Sequence, residues 1–489
     1  MANFDFDIGV IGGGAAGLTV TSGAAPLGAK TLLIEKENVL GGDCLHFGCV
    51  PSKTLIKSAH VYHQMRHSSR YGLPAVDMPP VDFQKVSDRI RSVIGTIQVH
   101  DSEDRFCRLG ARVEFGAPRF TDEHTVQLNG SSFSAKRWVL ATGSSPAIPP
   151  IDGLDNTPFI TNKEVFYLNM LPSAMIILGG GPIGIEMAQA FQRLGSQVHV
   201  VEMADQILGK EDKDMADGVA DVLKGEGVVF HLGTEVIAAR DLGSEREVTL
   251  KHPDGRTSRL KADTLLVAIG RRANTGGMNL EGIGVDVTRR GIPVDDRLRT
   301  SQKHIYAAGD CNGGFQFTHA AGYEGGIVVS NAIFHLPRKT DYTYLPWCTY
   351  TDPELANIGM NESMAKHRGI DYRVYTEEFR NNDRSLAEEE RTGRIKLLLD
   401  EKDKPLGVQI FGPHAGILIS EWVAALSGNV KLSTIASAIH PYPTMGEINK
   451  KVVSNFFSPK IFSDRIKKGL KFFFSLKGRT CEVEECGTS

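Results

Sequence analysis

Two stretches of the chain repeat one pattern of apolar, small and polar positions. An apolar run at 6–11 leads into the glycine-rich sequence 12–17, and a similar run at 175–178 leads into 179–184. Each glycine-rich turn opens a predicted helix, and a second apolar run follows it and ends at an acidic residue. This alternation of strand, helix and strand predicts a parallel α/β sheet in each copy.

The glycines and acids of both copies have the spacing of a Rossmann dinucleotide-binding unit. The acid lies 18 residues after the last glycine in both. Glycines let the backbone approach a pyrophosphate, the helix N-terminus offers free N–H groups, and the carboxylate accepts from a ribose hydroxyl. The sequence therefore predicts two dinucleotide sites, formed by Gly12, Gly14, Gly17 and Glu35 and by Gly179, Gly181, Gly184 and Glu202.

Two dinucleotide sites in one chain indicate a bound flavin and a diffusing nicotinamide, with FAD expected at the first site. At the second site, Glu202 would repel a 2′-phosphate, and Met203 and Ala204 supply no arginine to bind one. NADH is therefore favoured. NADPH is the alternative, because Arg271 and Arg272, which lie elsewhere in the chain, would weaken this preference if they contact the dinucleotide.

Composition narrows the class of protein without identifying it. The chain has 489 residues with 41% hydrophobic and 23% charged positions, which excludes a wholly disordered protein. The formal net charge of −3 gives no global basic field to attract nucleic acid. The uncharged stretch 8–29 follows two aspartates and contains glycines and a proline, unlike a secretion signal or a membrane span. We expect a soluble, cytoplasmic protein.

Seven cysteines at irregular spacing argue against a secreted disulfide scaffold. Two pairs share the spacing C-x4-C, at Cys44 and Cys49 and at Cys481 and Cys486. In an ideal helix, residues five apart lie about 7.5 Å apart along the axis, beyond the reach of a disulfide. Spacing alone therefore leaves a redox pair in a distorted turn, two buried thiols and a metal pair as alternatives for the first pair.

The context of the first pair resembles a known family. The sequence Gly-Gly-x-Cys-x4-Cys-Val-Pro-Ser-Lys at 41–53 lies between the two glycine–acid units, and Ala-Ala-Gly-Asp follows at 307–310. These motifs resemble the FAD-dependent pyridine nucleotide–disulfide oxidoreductases. The resemblance covers about 5–455 and implies that electrons pass from NADH through FAD to a Cys44–Cys49 disulfide.

The resemblance also implies roles for individual residues. Cys49 would be the thiol nearer the flavin, and Cys44 the thiol that meets the substrate. Lys53 matches the family lysine beside the flavin, and Glu186 matches its partner acid. Further cofactor contacts are expected at Gly143, Asp310 and Arg271.

The expected fold class is α/β, with two Rossmann-like dinucleotide-binding domains and a C-terminal α+β dimerisation domain. The FAD-binding domain is expected to be split around the NAD-binding domain, and a homodimer with shared active sites is expected. The predicted boundaries are 1–150 and 273–343 for FAD, 151–272 for NAD, 344–462 for dimerisation, and 463–489 for a basic segment and cysteine-containing tail.

One motif departs from the disulfide-reducing members of the family. Those members carry His-Pro-Thr-x-x-Glu, whose histidine acts as acid–base for the substrate-facing thiol. Here Pro443-Thr444 and Glu447 align with the motif, and Tyr442 occupies the histidine position. Tyrosine, with a pKa near 10, is a poor proton shuttle at neutral pH. His440 either substitutes for that histidine or is structural.

Mercuric reductases within the family carry tyrosine at this position and end in adjacent cysteines that receive the metal. Here Cys481 and Cys486 are separated by four residues. Thiolates are soft-metal ligands, so the pair is a candidate transient metal site or redox relay. The substrate is expected to be a soft metal ion or a thiol-linked compound. The alternatives are a dihydrolipoamide dehydrogenase-type enzyme and a metal-binding or membrane-docked electron-transfer protein.

The segment 460–479 carries seven basic residues, one acid and several large apolar residues. One interpretation is a helix that packs on its own domain or on the second subunit. The other is attachment to an anionic membrane surface.

Overall fold

The computed structural model describes residues 4–478, which divide into two compact units between Asp352 and Pro353. Across residues 4–478, no helix combines the length and apolar character needed to cross a membrane.

A five-stranded parallel sheet forms the first part of the N-terminal unit. Its strands in spatial order are Ile305–Ala307, Trp138–Leu140, Ile8–Ile11, Thr31–Glu35 and Ala111–Phe115. Helices Ala15–Ala24 and Thr318–Ala332 pack on one face, and a three-stranded antiparallel sheet packs on the other. Burial on both faces explains why these strands are almost wholly apolar. The sheet therefore combines segments from before and after the second glycine-rich copy.

A four-stranded parallel sheet forms around that second copy. Its strands in spatial order are Val229–His231, Gln197–Val201, Ala174–Leu178 and Thr264–Val267. Helix Pro182–Leu194 follows the glycine-rich turn, and its apolar side is buried. A second three-stranded antiparallel sheet packs beside it, so both glycine-rich copies have a parallel sheet and an antiparallel one.

The C-terminal unit contains an antiparallel sheet and helices, in agreement with the predicted α+β character. Its strands pair in the order Glu354–Gly359, Pro405–Gly412, Arg394–Leu399 and Arg373–Glu378. Helices Ala415–Ser427 and Glu447–Ile461 contribute the buried Trp422 and Val452 to this unit. The predicted α/β fold class is confirmed.

The other regular elements complete both units. The remaining strands are Arg119–Phe120, Thr125–Leu128, Ser131–Ser134, Ser144–Pro146, Glu235–Asp241, Arg246–Lys251, Thr257–Ala262, Arg271–Ala273 and Pro346–Thr349. The remaining α-helices are Gly42–His46, Cys49–Arg66, Phe83–Gln98, Glu103–Arg108, Lys213–Gly225, Glu362–His367, Asp383–Ala387, Leu432–Ser437 and Asp464–Phe474.

Candidate active site

The two glycine-rich turns have the same backbone geometry. Gly12 has φ 112° and Gly179 has φ 111°, conformations that side chains other than glycine rarely adopt. A Cβ atom on Gly17 would lie 1.8 Å from the Gly12 carbonyl oxygen, and one on Gly184 would lie 2.1 Å from the Gly179 oxygen. The first and third glycines of each motif are therefore required by the turn and by the close approach of the helix.

The acid at the end of each second strand binds its own glycine-rich turn. Glu35 accepts a hydrogen bond from the Gly13 amide at 2.5 Å, and Glu202 accepts one from the Gly180 amide at 2.6 Å. Each carboxylate also accepts the amide two residues further along, at 2.8 and 2.9 Å. These bonds fix the carboxylates beside the turns and leave lone pairs for ribose hydroxyls.

Both turns fit a dinucleotide. Neither helix Ala15–Ala24 nor helix Pro182–Leu194 has a side-chain cap, so the first amides of each are available to an anion. A Cβ on Gly181 would meet nothing within 4 Å, and one on Gly14 would meet only a backbone carbon at 3.8 Å. The middle glycine of each motif therefore faces space into which a pyrophosphate can approach.

The first cysteine pair spans a break between two helices. Helix Gly42–His46 contains Cys44, and helix Cys49–Arg66 begins at Cys49. Gly48 caps the second helix with φ −125° and ψ −115°, so the chain does not continue as one ideal helix. The break places the two thiols close enough for each to shift the pKa of the other.

The two thiols differ in their expected protonation. The hydrogen bond from Cys44 lowers the pKa of Cys49 to about 6, with further support from Thr318 and the positive charge of Lys53. The same hydrogen bond, together with burial, raises the pKa of Cys44 above its usual range. The Thr318 hydroxyl lies 3.5 Å from the Cys49 sulfur. The pair can therefore hold one thiolate, on Cys49, and one thiol, on Cys44.

An ion pair joins the redox segment, which comprises residues 41–53, to the second glycine-rich copy. Lys53, one turn into helix Cys49–Arg66, donates to Glu186 of helix Pro182–Leu194 at 2.7 Å. Glu186 is buried and also accepts the Tyr350 amide at 2.9 Å. The Lys53 ammonium lies 4.4 Å from the centre of the Tyr350 ring. The two residues are thus a partly buried, fixed pair and not solvated surface charges.

A second polar cluster surrounds the remaining predicted cofactor contacts. Gly143 has φ 68° and precedes Ser144, whose hydroxyl donates to Asp310 at 2.5 Å. Arg271 donates to Ser144 at 2.7 Å and pairs with Asp43 at 3.1 Å. Burial raises the pKa of Asp310 even though Ser144 and Arg271 stabilise its charge. Arg271 therefore lies with the redox segment, beside the residue that precedes Cys44.

The C-terminal unit holds Tyr442, His440 and Glu447. Tyr442 is 70% exposed and donates to Asp383 at 2.9 Å, a hydrogen bond that raises the tyrosine pKa further. Glu447 begins its helix, and its charge acts on Tyr442 in the same direction. The His440 Nε2 atom lies 3.0 Å from Glu421, and Nδ1 lies 3.4 Å from the carbonyl two residues earlier. Both ring nitrogens of His440 thus face oxygen atoms.

The other cysteines differ in their solvent exposure. Cys481 and Cys486, the candidate metal pair, lie outside the described residues. Cys311 is buried, whereas Cys107 is exposed.

The contact of Thr318 with Cys49 could not be predicted from the sequence, because the two residues lie 269 positions apart along the chain.

Comparison with known proteins identifies the family. The profile described as pyridine nucleotide-disulphide oxidoreductase matches residues 6–325. The profile for the dimerisation domain of the same family matches residues 345–453 and supports a homodimer.

Individual relatives match over nearly the whole chain. A mercuric reductase from Streptomyces lividans is 32% identical over 465 residues, which cover 94% of this chain and 97% of that protein. A dihydrolipoyl dehydrogenase from Bacillus subtilis (strain 168) is 34% identical, with coverage of 91% and 96%. The Cu(II) complex of the HOCl-induced flavoprotein disulfide reductase RclA from Escherichia coli is 28% identical with a TM-score of 0.82, and coverage is 91% and 99%. The chain belongs to the FAD-dependent pyridine nucleotide–disulphide oxidoreductases, enzymes that use FAD and NAD(P)H.

Proposed function

We propose that the chain is a cytoplasmic, NADH-dependent flavoprotein reductase that passes electrons to a Cys44–Cys49 disulfide and then to a soft metal ion. FAD would occupy the split domain 1–150 and 273–343, and the nicotinamide dinucleotide would occupy 151–272. Residues 344–462 would form the subunit interface of a homodimer with shared active sites. The proposal is supported by the two cysteines at a helix break, with the Thr318 hydroxyl 3.5 Å from the Cys49 sulfur. A metal ion is favoured by Tyr442, which donates to Asp383 at 2.9 Å and stands where disulfide-reducing relatives carry a histidine.

The two dinucleotides would be held by matching groups. The uncapped N-terminal amides of helices Ala15–Ala24 and Pro182–Leu194 would bind the pyrophosphates, and Glu35 and Glu202 would accept from ribose hydroxyls. Asp310 would contribute a further polar contact to FAD. Bound FAD supplies two-electron chemistry between a nicotinamide and a thiol pair.

Reduction of the Cys44–Cys49 disulfide would transfer two electrons and one proton to the pair. Reduction of the disulfide takes two electrons and breaks the sulfur–sulfur bond. One proton is taken up by Cys44, and Cys49 stays a thiolate at neutral pH because its pKa is about 6. Lys53, held by Glu186 at 2.7 Å, stabilises that thiolate by its charge. A soft metal ion that binds Cys44 would displace its proton to solvent, since only a thiolate attacks or binds a metal.

The poor acid–base properties of Tyr442 in the C-terminal unit favour a metal ion over a disulfide as substrate. A disulfide substrate releases a thiolate that needs a proton donor. The Asp383 hydrogen bond raises the pKa of Tyr442 above its ordinary value of 10, which makes it a poor acid–base catalyst. A soft metal ion bound by thiolates needs no such donor. Cys481 and Cys486 would deliver the metal as transient ligands.

A dihydrolipoamide dehydrogenase-type activity is the second candidate. The His440–Glu421 contact of 3.0 Å favours it, because a carboxylate beside an imidazole is the usual way to orient a catalytic histidine. In that case His440 would be the acid–base group and Glu447 a supporting charge.

A panel of oxidants distinguishes the two candidates. NADH oxidation by the holoenzyme is measured with Hg²⁺ in excess thiol, Cu²⁺ in excess thiol, lipoamide, glutathione disulfide and a quinone. We expect turnover with the metal ions to exceed that with lipoamide. We also expect Cys481→Ala/Cys486→Ala to lose at least tenfold with the metals only.

Matched variants sharpen the panel. Cys107→Ala removes an exposed thiol elsewhere in the chain and should change nothing. Tyr442→His restores the histidine of the family motif and should raise lipoamide turnover, whereas His440→Ala should leave metal turnover intact. Fast lipoamide turnover in the wild type, lost in His440→Ala and kept in the double cysteine variant, would refute the metal proposal and support the second candidate.

A further inference from the structure

The helix Asp464–Phe474 near the C-terminus of the described chain has no buried residue. It follows the last helix of the C-terminal unit, Glu447–Ile461, and is separated from it by two residues. All its large apolar side chains are exposed to solvent, including three consecutive phenylalanines. Exposed apolar side chains in one contiguous group mark an interaction surface.

The apolar residues define one face of this helix. Ile466, Leu470, Phe473 and Phe474 have the spacing i, i+4, i+7 and i+8, which places them on one side of a helix with about 3.6 residues per turn. Their exposed fractions are 42%, 40%, 77% and 70%. We call these four residues the apolar face. A helix with such a face needs an apolar partner.

The rest of the helix surface is basic. Lys468 lies opposite the apolar face with Lys471 and Arg465 on either side of it, and Lys467 borders the apolar face beside Phe474. The only acid of the helix is Asp464, which pairs with Lys467 at 3.4 Å. The positive charge is therefore largely uncompensated within the helix. A surface that contacts both sides must be apolar at its centre and negatively charged around it.

We propose that this helix binds the surface of an anionic lipid bilayer. The apolar face would enter the boundary between headgroups and acyl chains, and the lysine side chains would extend to the lipid phosphates. Phe472 is 80% exposed and lies among the basic residues, between Lys468 and Arg465, so it does not belong to the apolar face. The combination of an apolar face with basic residues around the rest of the helix favours an anionic lipid surface.

The basic residues set the expected salt and lipid dependence. Each lysine near an anionic surface contributes roughly fivefold in affinity. Neutralising three lysines should therefore weaken binding by on the order of a hundredfold. Raising the salt concentration from about 0.1 M to about 1 M shortens the screening length from about 10 Å to about 3 Å and should weaken binding as well.

Vesicle flotation with the full-length holoenzyme tests the proposal. The vesicles are phosphatidylcholine alone or phosphatidylcholine mixed with phosphatidylserine. We expect co-flotation with the mixed vesicles only, lost in Lys467→Gln/Lys468→Gln/Lys471→Gln and in Phe473→Ala/Phe474→Ala. The matched control Lys85→Gln/Lys224→Gln/Lys251→Gln makes the same change of charge at exposed sites elsewhere and should still float.

FAD absorbance and light scattering exclude trivial explanations. Each variant should retain FAD and the wild-type mass, which shows that folding and assembly are intact. Equal flotation of the control and helix variants would contradict the proposal, and so would absence of flotation in the wild type. If Phe473→Ala/Phe474→Ala changes the subunit number and wild-type protein ignores the vesicles, the apolar face is a protein contact instead.

Discussion

The two glycine-rich loops have one backbone geometry and different surroundings. In the first, Gly42 of the redox segment is so close that a Cβ on it would lie 2.7 Å from the Gly14 Cα, and Glu35 is buried. In the second, a Cβ on Gly181 would meet nothing within 4 Å, and Glu202 is only partly buried. One loop is covered by another part of the chain, and the other is open.

Under the proposed function, this difference would let the first loop retain its cofactor and the second loop exchange its nicotinamide dinucleotide. A cofactor held under the redox segment must remain when the substrate changes. A nicotinamide dinucleotide must enter and leave in every cycle. The Lys53–Glu186 ion pair connects the two regions, so the comparison can be tested at both loops and at the link between them.

The largest effects are expected from alanine at the third glycine of each loop. In Gly17→Ala and Gly184→Ala the new Cβ would lie 1.8 and 2.1 Å from a carbonyl oxygen, and such overpacking costs about 1–3 kcal/mol. We expect Gly17→Ala to purify without FAD and to unfold at lower temperature. We expect Gly184→Ala to keep FAD and to lose more than tenfold in reduction by NADH.

The ratio of FAD to protein absorbance and rapid-mixing reduction by NADH measure the two losses. Gly95→Ala is the control, because its Cβ would meet nothing within 4 Å in the helix Phe83–Gln98. That variant should be neutral or slightly more stable. Loss of FAD from Gly184→Ala would show that the loops do not have separate roles.

A smaller effect is expected at the acids. Glu202→Gln removes the charge that repels a 2′-phosphate and turns a charge-assisted hydrogen bond into a neutral one, a loss of about 1 kcal/mol. We expect the KM for NADH to rise about fivefold and the preference over NADPH to shrink. Glu35→Gln should alter FAD retention and leave the ratio of NADH to NADPH activity unchanged. A wild-type enzyme that already prefers NADPH would overturn this assignment.

The smallest effect is expected in the titration of Cys49. In the NADH-reduced enzyme the alkylation rate of Cys49 should rise with pH through a midpoint near 6, where its thiolate forms. Lys53 stabilises the thiolate, so Lys53→Met should move the midpoint upward. The negative charge of Glu186 destabilises the thiolate, so Glu186→Gln should move the midpoint downward.

Iodoacetamide trapping followed by mass spectrometry gives the midpoint for each thiol separately. Lys57→Met, one turn further along the same helix, is the control and should leave the midpoint unchanged. If Lys53→Met and Lys57→Met behave alike, the charge of Lys53 does not act on the redox pair.

Local sequence predicted the parallel sheets and the glycine turns, because strand and turn preferences depend on neighbouring residues. The acids at positions 35 and 202 were predicted for the same reason. The cysteine pair was more difficult, because ideal helix geometry separates the two residues. The structure resolves this with a helix break before Cys49, where Gly48 had indicated a distorted turn.

Contacts between distant segments could not be predicted from spacing. The hydroxyl of Thr318 reaches Cys49 across 269 residues, and Ser144 reaches Asp310 across 166. Such contacts depend on how whole elements pack, which periodicity does not encode. All three phenylalanines at 472–474 are exposed on Asp464–Phe474, which agrees with the fact that a single helical face cannot bury three consecutive side chains.

We propose that Cys49 and Cys44 form an unequal redox pair beside FAD. Anaerobic titration of the holoenzyme with NADH, followed by absorbance, distinguishes the two thiols. We predict a long-wavelength charge-transfer band that is present in the wild type and in Cys44→Ser, is absent in Cys49→Ser, and fades as the pH falls through about 6. A wild type reduced by NADH without such a band, or a band that survives in Cys49→Ser, would contradict the claim.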